Sequence, residues 1–213
     1  MKKATVMTLT VLLLAGCVVS AGTPPSANKQ AQGAGAQASG TQDKTPPSYD
    51  MKPQAVLDLE QLQEKYVGLA QAIPPEKYTW RPANGVRSVS ELFLHVSGAN
   101  YGFPVLMTGT TPAPGFQREG FEKSTTDKTK VIEQLNKSFA YAIASVQAMT
   151  NADFAKPEKK LGPEANDGDV IYLLVVHSHE HLGQSIAYAR EIGIVPPWTA
   201  AAEKKDAAKA DKE

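Results

Sequence analysis

The sequence predicts an all-α fold, a four-helix bundle. Three observations carry this. Apolar residues recur at three- and four-residue spacing in four separate segments. No segment keeps a sustained period-two alternation. Proline, glycine or a capping residue marks most of the segment ends.

The first segment runs from Pro53 to about Ile73, with Val56, Leu57, Leu59, Leu62, Tyr66, Leu69 and Ile73 as its apolar positions and Pro74-Pro75 as its stop. The second opens at Ser88-Val89-Ser90-Glu91, a capping box in which Ser88 and Glu91 satisfy each other's backbone amides. It carries Val89, Leu92, His95, Val96, Ala99 and Phe103 on one side and reaches Pro104. A loop rich in Gly, Pro and Thr fills about 108–126. The third helix is expected from Lys130 to about Met149, striped by Val131, Leu135, Phe139, Ile143 and Val146. The fourth is expected from about Asp169 to Ile192, stopped by Gly193 and Pro196-Pro197. Val170 to Val176 has the composition of a buried strand, but it runs without a breaker into a polar helical stretch and is read as helix.

The ends read differently. Met1-Lys2-Lys3, an apolar run from Ala4 to Ala15 and Leu14-Ala15-Gly16-Cys17 form the pattern of a lipoprotein signal peptide, residues 1–16, with Cys17 as the lipidated residue. The run of about 12 residues is ~18 Å as a helix, too short for a ~30 Å hydrocarbon core. Residues 17–50 are mostly Ala, Gly, Ser, Thr, Gln and Pro, a flexible linker that reaches about 30 Å on average. The bundle is assigned to 51–198. Residues 199–213 alternate Ala with charge and are expected as a solvated, disordered tail. These readings place the domain in the cell envelope, outside the cytoplasm and held to a membrane through Cys17.

Composition closes off several chemistries. Basic and acidic residues number 22 each, and nothing in that balance suggests a nucleic-acid binder, which would need a basic face. The single cysteine is Cys17, which leaves the bundle without a disulfide, a thiolate nucleophile or a cysteine zinc site.

Four histidines remain. His177 and His181 are four apart and share one helix face, with Leu173, Gln184 and Tyr188. His179 lies about 200° from His177 and points elsewhere. His95 lies on the apolar side of the second helix. If the second and fourth helices meet, three imidazoles converge. Three imidazoles with an open position make a catalytic type of divalent-metal site, suited to Zn, Ni, Cu or Fe. Glu180, about 60° off the His177–His181 face, and Gln184, one turn beyond His181, are the candidate catalytic helpers. Spacing alone leaves two other readings open: a solvated surface cluster, and core histidines satisfied by hydrogen bonds.

Longer motifs surround these residues. Pro75-Glu76-Lys77-Tyr78-Thr79-Trp80-Arg81-Pro82 precedes the second helix, which begins Arg87-Ser88-Val89-Ser90-Glu91-Leu92-Phe93-Leu94-His95-Val96. The last helix contains His177-x-x-x-His181-x-Gly183-Gln184, then Tyr188-Ala189-Arg190, Gly193 and Pro196-Pro197. In order, spacing and flanks, from about Pro53 to Trp198, this resembles the DinB-like (DinB/YfiT) superfamily of four-helix bundles.

The resemblance implies that His95, His177 and His181 hold a divalent transition metal, zinc or nickel in the first instance. It also implies a metal-dependent enzyme, hydrolase-like or thiol S-transferase-like, acting on a small molecule. Two departures stand out. Leu182 replaces the Arg usual after the second histidine of the last helix, and the lipobox sets the chain apart from a mostly cytoplasmic family. The alternative is a non-catalytic metal- or ligand-binding module on the cell surface. A further polar residue converging from the first or third helix would separate the two, and Asn136 and Tyr141 are the candidates. Self-association as a homodimer stays open.

Overall fold

The computed structural model describes residues 50–107 and 109–210. The proposed signal peptide, Cys17 and the linker before Asp50 lie outside the described residues.

Five helices form: α1 Met51–Ala72, α2 Val89–Gly102, α3 Lys128–Ala148, α4 Asp167–Glu191 and α5 Pro197–Ala210. Single 3-10 turns stand at Pro75–Lys77, Pro104–Leu106, Phe121–Lys123 and Asp153–Ala155. Among the described residues the only β pairing is an isolated bridge between Pro157 and Asn166. No helix among them is long and apolar enough to cross a membrane.

The helices start where a side chain can satisfy their first free amides. Asp50 and Asp127 cap α1 and α3. The expected capping box opens α2, with Ser88 and Glu91 bonded reciprocally at 3.3 and 2.8 Å. A second box, Asn166 with Asp169, starts α4 two residues before the sequence reading placed it. The loop ahead of α2 completes its N-terminus, because the carbonyls of Trp80 and Tyr78 accept from the amides of Val89 and Ser90.

The first four helices form the bundle. Both α3 and α4 pack against α1 and against α2, so α1 and α2 stand on one diagonal and α3 and α4 on the other. The predicted stripes are inside. Leu59, Leu62, Tyr66 and Leu69 of α1 are buried with Leu92 and Val96 of α2, Leu135 and Phe139 of α3, and Ile171 and Leu174 of α4. Leu57, expected on the stripe of α1, is exposed instead. Helix α2 is buried almost all round, since Phe93 and Leu94 are covered as well.

Tyr66 sits at the centre. Its ring meets Phe93 edge-on at 6.3 Å and Phe139 at 5.6 Å. Its hydroxyl donates to the carbonyl of Ser178 at 2.7 Å. That bond fixes α4 against α1 one residue from His177.

Most of α5 lies in the expected tail. From Pro197 the chain is helical to Ala210, although residues 201–210 are exposed throughout. Proline at the first helical position and an alanine-rich run favour helix without needing a buried stripe. Only the start of α5 touches the domain, where Trp198 packs on the core and Pro197 approaches Gly68.

Tyr66→Phe is expected to lower the stability of the domain by about 1 kcal/mol through the lost hydrogen bond. Tyr66→Ala is expected to cost roughly 3–5 kcal/mol through the cavity it leaves. Urea unfolding followed by circular dichroism reads both.

Candidate metal centre

The packing of α2 against α4 brings His95 to His177 and His181. The Nε2 atom of His95 lies 3.1 Å from Nε2 of His177 and 3.1 Å from Nε2 of His181. The three rings meet at tilted or edge-on angles, with centroids 4.4–5.0 Å apart. His179 is exposed on the other side of α4, as helical phase requires.

Two of the outer nitrogens are held. Nδ1–H of His95 donates to Oε1 of Glu122 at 2.6 Å. Nδ1–H of His181 donates to Oε1 of Gln184 at 2.8 Å. A proton held on Nδ1 leaves Nε2 as a bare lone pair, so both rings aim acceptors at the same point. His177 is positioned by packing instead, edge-on against Phe103 at 5.2 Å. Its Nδ1 is buried and makes no hydrogen bond among the described residues.

This donor set fits a first-row divalent ion. Nitrogens held ~2.1 Å from one ion, in octahedral or tetrahedral array, stand roughly 3.0–3.4 Å apart. The two separations from His95, 3.1 Å each, fall in that range.

The electrostatics agree. Burial pushes His177 down to about 4, helped by the neighbouring His181, His95 and Arg87. Burial also lowers His95, against the opposite pull of Glu122. Both rings are therefore neutral, the state that coordinates. Burial alone would raise Glu122, but hydrogen bonds from Arg87 and His95 outweigh it and hold the carboxyl below its usual range.

Glu122 is the site residue the sequence reading missed. It stands in the turn Phe121–Lys123, aimed at α2 by Gly120, whose φ of 72° favours glycine. Arg87 grips it with two bonds, at 2.7 and 3.2 Å. No periodicity distinguishes Glu122 from Glu119 or Asp127 in the same loop, so the sequence offered no signal for it.

Of the two proposed helpers, the structure brings in Gln184 alone. Besides accepting from His181, Gln184 donates to Tyr188 Oη at 3.2 Å, and Trp80 packs edge-on against Tyr188 at 5.6 Å. Glu180 is exposed and makes no hydrogen bond or ion pair among the described residues. Its 60° offset from the ligand face turns it to solvent. Asn136 and Tyr141 bond to Ile132 and Thr111 and do not line the site. Leu182 is buried in the core.

A profile of the DinB superfamily matches residues 58–185. The chain belongs to the DinB superfamily. Solved structures of two DinB-like proteins share the fold. One, from Bacillus subtilis, aligns with a TM-score of 0.53 at 20% identity over 67% of this chain and 93% of its own. The other, from Bacillus cereus, aligns with a TM-score of 0.55 at 15% identity over 68% and 95%. No curated protein matches the chain in sequence.

In this DinB-superfamily domain, the segment before α2 acts as scaffolding for the ligands. The Tyr78 hydroxyl bonds to the carbonyl of Ala70, Trp80 supports Tyr188, Arg81 pairs with Glu91, and Arg87 holds Glu122.

Single Ala substitutions at His95, His177 or His181 are each expected to reduce bound divalent metal from about one per chain to near zero, while His179→Ala retains it. Glu122→Gln is expected to weaken affinity by roughly 10–100-fold, since it removes the charge that orients His95. Proton competition at His177 should set in only as pH falls toward about 4, below the ordinary histidine range. Elemental analysis and competition titration across pH measure all three effects.

Proposed function

We propose that this domain is a metal-dependent enzyme, hydrolase-like or thiol S-transferase-like, that uses His95, His177 and His181 to hold a divalent transition metal. The observation that supports this is the convergence of three Nε2 atoms beside a recess of about 130 Å³ lined by His95 and His177. Three protein ligands leave coordination positions for a substrate or nucleophile. A divalent ion there polarises a carbonyl or lowers the pKa of a water or thiol.

The chain's own residues would hold this arrangement. Glu122 and Gln184 keep the protons of His95 and His181 on Nδ1 and fix both rings. Arg87 neutralises Glu122. Bonded to both His95 and Arg87, Glu122 serves as a positioning residue and is poorly placed as a free general base. This favours a nucleophile that needs little help beyond the metal's charge.

The same scarcity of a free base supports the alternative, a non-catalytic metal- or ligand-binding module. We also propose, on the lipobox alone, that Cys17 carries a lipid anchor and that the domain works at the cell envelope.

Metal-loaded protein is expected to turn over a model electrophile with a small thiol, or a model ester with water. The same preparation carrying His181→Ala should be inactive and His179→Ala active. Full metal occupancy with no turnover of any such pair would favour the binding module.

A further inference from the structure

The recess beside the imidazoles has a definite chemistry. Its floor is the small-residue face of α2, Gly98, Ala99 and Gly102, its walls include Phe103 and Phe121, and Glu122 also lines it with its carboxylate already bonded to Arg87 and His95. A Cβ on Gly98 would stand 3.4 Å from the Phe121 ring, and one on Gly102 would stand 3.9 Å from Nη1 of Arg118. The Arg118 guanidinium therefore overhangs the floor at Gly102. It makes no ion pair or side-chain hydrogen bond among the described residues.

This sets the recess apart from the larger hollow of about 490 Å³ on the other side of Glu122. There Arg81 is already paired with Glu91 and Arg87 with Glu122, and none of the three imidazoles lines it. Only the smaller recess combines two metal-ligand rings, aromatic walls and an unpaired guanidinium. Its volume of about 130 Å³ is near that of an apolar cavity, ~150 Å³, that takes up benzene.

We propose that the recess binds a compact organic anion: a ring-sized apolar body between Phe103 and Phe121, and a carboxylate on Arg118, with the reacting group toward His95 and His177. This rests on the metal-enzyme reading for the reacting end only. The apolar body and the guanidinium contact need no metal. Burying an aromatic ring supplies the main attraction. The planar guanidinium supplies selection for a carboxylate over a neutral group.

The test is calorimetric titration of the full zinc-loaded chain with 3-phenylpropionate, its neutral amide 3-phenylpropanamide, and acetate. Phenylpropionate is expected to bind about tenfold or more tightly than either, as a charge-assisted hydrogen bond and a buried ring each warrant. Arg118→Ala should erase the advantage over the amide without changing zinc content. Gly102→Leu, which fills the floor, should weaken both phenyl compounds.

A carboxylate preference that survives Arg118→Ala would place the carboxylate on the metal and overturn the proposal. Equal binding of acetate and phenylpropionate would also overturn it. Absence of zinc from the purified protein would sink the metal reading instead. The same titrations on metal-free protein would then still decide the recess.

Discussion

Nε2 of His95 stands 3.1 Å from Nε2 of His177 and 3.1 Å from Nε2 of His181, and a positive ion among the three nitrogens would turn the repulsion between facing lone pairs into attraction. The tautomers make the constraint unavoidable for two of the rings. With Glu122 and Gln184 accepting the Nδ1 protons, Nε2 of His95 and of His181 has no hydrogen to offer the other. Much of the surrounding structure serves to hold these rings together. The Tyr66–Ser178 bond sets α4 against α1, and the Ser88–Glu91 box with the carbonyls of Tyr78 and Trp80 fixes where α2 begins.

The support is uneven. His95 is tied through Glu122 to Arg87, and His181 through Gln184 to Tyr188 and Trp80. His177 relies on Phe103 and has an unsatisfied Nδ1. That ring also faces the recess, where a substrate would approach. His95 lines the same recess, so of the two rings beside it one is held by a charged hydrogen bond and the other by aromatic packing.

The helices were legible because each buries a stripe with helical period and begins at a capping residue. His177 and His181 were legible for the same reason, since four-residue spacing fixes a common face. His95 could be placed on the apolar side of α2, but its meeting with α4 depends on which helices are neighbours, and local periodicity does not encode that. Glu122 was illegible. It reaches the site by a glycine-directed loop turn whose direction comes from tertiary packing, and its sequence surroundings match those of other loop carboxylates. Glu180 was singled out by its nearness in sequence to the histidines, and its helical phase turns it to solvent. In the tail, residues 201–210 offer no apolar stripe, and their helix rests on local alanine propensity.

One divalent ion is expected between α2 and α4, held by His95, His177 and His181. Anomalous diffraction from crystals of the zinc-loaded protein, collected on both sides of the zinc absorption edge, tests it most directly. One strong edge-dependent peak per chain is expected within about 2.2 Å of Nε2 of His95, His177 and His181. A peak at His179, or fully loaded crystals with no peak among these three nitrogens, would contradict it.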